Sequence, residues 1–341
     1  MQELRQRERT PKRLRWLRRA YHVLVVLSLI IVVTFCGFKL IVRAPAQKPV
    51  QTPELAENHV GADVPGTPTP IPLARKEQFY TFLLAASDQS SGNADTIMVV
   101  SFDVKNQTVG VVSIPRDTLI DRKYPKINNT YAVGGISELS KEVSNLVGFP
   151  LDYYITVDIK AFKALVDAVG GVDFDVPIDM DYDDPTQDLH IHYKAGVQPL
   201  DGQQALEVVR FRKNNDGTGY SDSDVGRTHT QQKLLTAIAR KVASWSGLSK
   251  FNRFVDIFSQ YVKTDLSGTD ITYFATQAVK VNLDHDLNTA TLPCGSGSVD
   301  YHGVSWCYQL DKEKSLAIIN ELLNPYTTEI TDSVADIFQV E

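Results

Sequence analysis

Only three of the 341 residues are cysteine. Their spacing fits no common zinc pattern, and no second Cys or His pair accompanies them, which excludes a zinc module of the usual kind. A Gly-x-Ser-x-Gly elbow, a P-loop, an EF-hand pattern and internal repeats are also missing. The histidines His190, His192, His229, His285 and His302 form no ligand spacing, although His190 and His192 alternate on a strand and share one face. Positive charge is scarce beyond the first 22 residues. Without the eight basic and two acidic residues of that tail, the remainder holds 27 Lys+Arg against 39 Asp+Glu, a net charge of −12. So acidic a body is a poor general binder of polyanions, and nucleic acid is not an expected partner.

What is present begins with an apolar run, Val23 to Val42, broken only by Lys39. At about 1.5 Å rise per residue it crosses a hydrocarbon core of about 30 Å. A cleaved signal peptide has a shorter apolar region and a small-residue cleavage site. Ala44-Pro45-Ala46 imitates such a site weakly, with a proline inside it. An uncleaved transmembrane helix is therefore expected at 23–42, after a basic cytoplasmic tail at 1–22. Arg5, Arg7, Arg9, Lys12, Arg13, Arg15, Arg18 and Arg19 fix its orientation and contact anionic membrane lipid. This localisation is single-pass in the cell membrane, with the C-terminal bulk extracytoplasmic. Residues 43–76 carry seven of the 16 prolines and read as a stalk.

From about Gln78 the pattern becomes globular. FYTFLLAAS, TIMVVSFDV and TVGVVSIP read as three strands. Ile136–Val147 is helical and ends at Gly148; YYITVDI is a strand; Ile159–Val169 is a helix stopped by Gly170-Gly171. VDFDVPI is again a strand, followed by helices at Gln203–Val209, Thr228–Ser244, Phe251–Tyr261 and Ile271–Val281. A strand at Thr289–Pro293 and a helix at Lys312–Leu323 close the chain. Alternating strands and helices predict one α/β domain with a mixed sheet flanked by helices. Its core is expected at 77–245, with a helical extension of the same domain at 246–341. Cys294 and Cys307 flank GSGSVDYHGVSW, and a disulfide closing that loop is expected; two buried thiols are the alternative.

Several polar residues sit where strands and helices end, where packing does not require them. They are Asp88, Asp95 and Thr96, Arg116 and Asp117, Lys126, Asn128 and Tyr131, Arg210 and Arg212, and Asp224 to Gln232. Arg210 and Arg212 share one face of an extended segment, and guanidinium forks suit bidentate phosphate contacts. They could equally be structural ion pairs on an acidic surface. Arg227 and Gln231 share a helical face. Asp224 is placed as an N-cap, and the N-terminus of that helix adds a positive dipole. Strand-end carboxylates such as Asp88 and Asp95 can hold Mg²⁺. Arginines with Mg²⁺ against a pyrophosphate are the parts that phosphoryl transfer uses. Asp179, Asp181, Asp183 and Asp184 read as solvated loop or strand-face charge, with a calcium site outside the EF-hand pattern as the alternative.

The segments ADTIMVVSFD, VVSIPRDT, KINNTYAVGG, FPLDYYITVDIKAFKALVDAVGGVDFDVP, PLDGQQALEVVRFR and DSDVGRTHTQQ resemble, in this order, the LytR-CpsA-Psr family of cell-envelope enzymes. The resemblance covers about Tyr80 to Ser244. It implies a phosphotransferase that moves a phosphoglycopolymer, such as teichoic acid or capsule, from a polyprenyl-pyrophosphate lipid to peptidoglycan. The implied acceptor is the primary hydroxyl of N-acetylmuramic acid, with Mg²⁺ assisting and an apolar cleft for the lipid tail. It further implies that Asp88 and Asp95 serve metal or acid/base roles. Arg116, Arg210, Arg212 and Arg227 then hold the pyrophosphate with Gln231, and Asp117, Lys126, Asn128 and Asp224 support them. Three positions depart from the family pattern: Asn93 and Thr230 stand where arginine is common, and the first strand ends LLAASD without glycine. These departures motivate alternatives, a polyprenyl-pyrophosphate sensor or scaffold without turnover, or a pyrophosphatase.

Overall fold

A computed structural model describes residues 43–47, 74–87, 92–186, 188–220, 223–243, 256, 258 and 260–340. The expected anchor at 23–42, most of the stalk, Asp88 and most of the expected helix at 251–261 lie outside these residues. Among the described residues no helix is long and apolar enough to cross a membrane.

The strand β1 (Phe79–Ser87) is buried along most of both faces, as expected of a strand covered on both sides. It pairs antiparallel with β2 (Ala94–Asp103) and parallel with β4 (Tyr153–Asp158). With β3 (Thr108–Ile114), β9 (Lys263–Thr264) and β10 (Leu287–Thr291) these form a six-stranded mixed sheet in the order β10-β3-β2-β1-β4-β9. The parallel β1–β4 step is bridged by α1 (Asn129–Val147), which packs Leu139, Val143, Leu146 and Val147 against the sheet. Gly134 and Gly135 leave helical geometry inside it, so the regular apolar spacing starts only at Ile136. Gly148, at φ 81°, takes the left-handed turn that ends the helix.

A second core lies among α2 (Ile159–Ala168), α3 (Gly202–Arg210), α4 (Ser223–Ala243) and two small sheets. One sheet pairs β5 (Val172–Val176) with β8 (Gly196–Leu200), and the other pairs β6 (Met180–Asp184) with β7 (Leu189–Tyr193). Asp158 caps α2 by accepting from the amide of Ala161 at 2.7 Å. Alternation in VDFDV puts Val172, Phe174 and Val176 inward and Asp173 and Asp175 outward. The acidic run after it is likewise strand-face charge on β6.

The last third of the chain holds more strand than its sequence suggests. After α5 (Gly268–Ala278) and β10 comes a hairpin of β11 (Cys294–Tyr301) and β12 (Val304–Leu310). The final helix α6 (Lys312–Ile318) passes into a π turn at Ile319–Leu323. The expected Cys294–Cys307 disulfide is not formed. The hairpin register sets Cys294 opposite Leu310 and Cys307 opposite Val299. Three residues of offset at about 3.4 Å each is too far for the 4.4–6.8 Å Cα separation a disulfide needs. The Cys307 thiol instead donates to the Val304 carbonyl at 3.5 Å. Burial pushes its pKa up, which keeps it protonated.

One buried ion pair ties the start of the domain to the sheet. Arg75 bonds the carboxylate of Asp152, which is 1% exposed and also accepts from the amide of Thr81 at 2.9 Å and its hydroxyl at 3.1 Å. Removing one partner of a buried pair strands the other charge. Asp152→Ala is expected to cost about 3–5 kcal/mol of unfolding free energy, measured by denaturant titration.

Candidate active site

The antiparallel register of β2 and β3 sets Ile97 opposite Ile114. Continued by two residues, to Asp95 within β2 and Arg116 just beyond the end of β3, the same register faces Asp95 with Arg116. Their side chains meet there, with Arg116 Nη1 donating to Asp95 Oδ1 at 2.6 Å. On the other side Arg116 Nε lies 3.5 Å from Asp117 Oδ2, and Asp117 Oδ1 lies 3.1 Å from Lys126 Nζ. A guanidinium held between two carboxylates keeps one orientation and still presents further N–H donors. Asn128 fixes the backbone around it: its amide donates to the Arg116 carbonyl at 3.1 Å, and its carbonyl accepts from the Ala94 amide at 3.4 Å. The hairpin supports the same loop from outside, since the Tyr308 amide donates to the Asp117 carbonyl at 2.8 Å.

The helix α4 closes the site. A small, open cleft is lined by Asp95, Thr96, Arg116, Arg227, Thr228 and Gln231, together with Ser113, Ile114 and Pro115. Thr96 donates to Gln231 Oε1 at 3.4 Å. Arg227 is only 7% exposed, so its charge acts on an anion in a medium of lower effective dielectric than water. Gln232, next to Gln231, points the other way and anchors the helix. Its Nε2 donates to Ser113 Oγ and the Ala290 carbonyl, both at 2.9 Å, and to Thr291 Oγ1 at 3.4 Å. This anchoring residue was not expected from the sequence, although the doubled glutamine at helical spacing was a visible signal.

The structure brings together Asp95, Arg116, Arg227 and Gln231, with Asp117, Lys126 and Asn128 behind Arg116. Arg210 and Arg212 do not line the cleft. Arg210 is in the last turn of α3 and Arg212 is exposed, on either side of the buried Phe211. Tyr220 links that segment to α4. Its ring packs edge-on to Phe211 at 5.6 Å, and its hydroxyl lies 2.8 Å from Thr230 Oγ1. Thr230 itself donates to the Gly226 carbonyl at 3.0 Å, which leaves Tyr220 as the donor to Thr230. Burial pushes the Tyr220 hydroxyl pKa up, so it keeps that proton. A Cβ on Gly226 would meet the Tyr220 ring at 2.4 Å, so this close approach requires glycine. Thr230 is therefore bonded within the fold and supplies no cationic contact.

One expectation needs correction: Asp224 is not an N-cap. The helix begins at Ser223, so Asp224 lies in its first turn. Asp88 falls outside the described residues. Asp95, the Thr96 hydroxyl and the Gln231 amide oxygen are hard oxygen donors lining one cleft, and that donor set fits Mg²⁺.

The LytR_cpsA_psr family model matches residues 51–324. A polyisoprenyl-teichoic acid–peptidoglycan teichoic acid transferase, TagV of Bacillus subtilis (strain 168), is 32% identical over 207 residues, 58% of this chain and 52% of that protein. The corresponding TagU of Bacillus anthracis (strain CDC 684 / NRRL 3495) is 36% identical over 201 residues, 57% of this chain and 63% of that protein. The chain thus spans between half and two thirds of the length of these relatives. The crystal structure of B. subtilis TagV superposes with a TM-score of 0.62 at 27% identity, covering 72% of this chain and 96% of the other.

Gln232→Ala removes the donor that satisfies Ser113 and the Ala290 carbonyl. The expected cost is about 1–3 kcal/mol of stability, read from urea unfolding.

Proposed function

Because the chain belongs to the LytR-CpsA-Psr family, we propose that it is a membrane-anchored phosphotransferase that moves a phosphoglycopolymer from a polyprenyl-pyrophosphate lipid to peptidoglycan. The observation that carries this reading is the convergence of Asp95, Arg116, Arg227 and Gln231 on one cleft. Two guanidinium groups and an amide are the donors a pyrophosphate needs. The names of the relatives point to teichoic acid as the class of polymer.

In this reaction the acceptor hydroxyl oxygen bonds to the phosphorus next to the polymer. The phosphoanhydride bond breaks, polyprenyl phosphate leaves, and the hydroxyl proton passes to a base. Arg116 and Arg227 hold the non-bridging oxygens and offset the charge that builds on the leaving phosphate. Asp95 orients Arg116 and is the carboxylate assigned to take the acceptor's proton. Gln231 fixes the substrate against β2. Mg²⁺, which Asp95 with Thr96 and Gln231 would hold, would add charge neutralisation at the phosphates. Arg210 and Arg212 lie outside the cleft lining and take no part in this reading of the site.

An anchor at 23–42 puts enzyme and lipid donor in one membrane and raises their effective concentration. The domain then works on the extracytoplasmic side, where peptidoglycan lies.

Arg116→Ala is expected to lower transfer of labelled polymer from polyprenyl pyrophosphate to peptidoglycan by at least about 10²-fold, with an unchanged unfolding midpoint. Unchanged turnover overturns the assignment. Chelation by EDTA is expected to slow wild-type transfer and added Mg²⁺ to restore it. Labelled polymer released to water identifies a pyrophosphatase instead. Tight retention of the lipid with neither product identifies a sensor.

A further inference from the structure

The β6–β7 hairpin carries a cluster that the transferase reading does not use. Its register pairs Asp181 with His192 and Asp183 with His190, all four on the exposed face. Asp183 Oδ1 lies 2.5 Å from His190 Nδ1 and 3.3 Å from His192 Nε2. One ligand atom from each of Asp183, His190 and His192 lies within 4.8 Å of the other two.

The outer contacts sharpen this geometry. His192 Nδ1 lies 2.8 Å from Asp181 Oδ1, and with its proton on that nitrogen the ring would turn an Nε2 lone pair toward Asp183 once an ion displaces the second proton. His190 Nε2 lies 3.6 Å from Asp188 Oδ1, on the side away from Asp183. Each imidazole therefore has a carboxylate behind it, and in front His190 Nδ1 and His192 Nε2 both face Asp183 Oδ1, the three atoms between which an ion would sit. That is the carboxylate–histidine arrangement that orients metal-ligating histidines. A tetrahedral ion with bonds of about 2.0–2.1 Å spaces its ligand atoms about 3.4 Å apart, within reach of this cluster after small side-chain shifts.

We propose that Asp183, His190 and His192 form a surface site for a borderline divalent transition ion of the Zn²⁺ class, with Asp181 and Asp188 orienting the imidazoles and water completing the coordination. Two nitrogen ligands favour such an ion over Mg²⁺ or Ca²⁺, which take oxygen ligands. The site has a structural consequence. The outer edge of β6 holds the loop after Arg212: the Asp181 amide donates to Asn214 Oδ1 at 2.7 Å and the Asp183 amide to Asn215 Oδ1 at 2.6 Å. An ion that clamps β6 to β7 also steadies that loop.

The test is zinc binding by the full chain in detergent, followed by calorimetry at neutral pH. Wild type is expected to bind one more equivalent of Zn²⁺ than the double variant His190→Gln/His192→Gln. Asp181→Asn is expected to weaken that equivalent about 10–100-fold. These side chains are exposed, so the variants should keep the wild-type far-UV spectrum; Asp183→Asn provides an independent loss. Co²⁺ in wild type should give the visible absorption of a four-coordinate nitrogen and oxygen site. Equal zinc stoichiometry and affinity in wild type and the double variant overturn the proposal. So does displacement of the bound zinc by equimolar Ca²⁺ or Mg²⁺.

Discussion

The pairing register of β2 with β3 is the constraint on which the site depends. Side chains on paired strands alternate faces, so a slip of one residue would turn Asp95 and Arg116 to opposite sides. Held in register, the two meet at 2.6 Å at the mouth of the sheet. Asp117 and Lys126 are then drawn in behind Arg116, and the amide of Asn128 closes on its carbonyl. The register is held by burial. Val99, Val112 and Ile97 are almost completely inaccessible, and moving that set to the solvent face would forfeit about 1.5–3 kcal/mol for each side chain.

Around this pairing the molecule builds from opposite sides. Gln232 fastens α4 to β3 and β10, which brings Arg227 and Gln231 over the strand ends. The β11–β12 hairpin bonds the backbone of the Arg116 loop from its outer side. The arginine site is therefore assembled from strand ends, one helix and a late hairpin, elements far apart in sequence. Such a site is made rigid by its backbone hydrogen bonds, which suits a function that requires donors preorganised before the substrate arrives.

Much of the fold was legible. β1 to β5 and α1 to α4 carry apolar periodicity over most of their length, and glycines such as Gly148 mark the ends. The hairpin strands β6 to β8, β11 and β12 were harder to read as elements. β6 to β8 are only five residues each, and β6, β7 and β11 are rich in Asp, His, Gly or Ser, so pairing supplies what their side chains do not. The disulfide expectation failed for a related reason. Two cysteines around a loop resemble a closure, but the hairpin register offsets them. Asp224 failed as a cap because α4 begins one residue before it, and helix ends are poorly fixed by local sequence.

The sequence by itself determined the chemical types and the helical and strand faces that carry them: arginines, strand-end carboxylates, and Arg227 with Gln231 one turn apart. Those follow from local periodicity, which each segment contains within itself. Only the tertiary structure decided which of these residues share a cleft. It joined Asp95 to Arg116, turned Gln231 inward and Gln232 into an anchor, left Arg210 and Arg212 outside the lining, and set two Asp–His pairs face to face on one hairpin. The physical reason is that strand register and helix docking are settled by burial summed over many distant side chains, and no single segment encodes that sum.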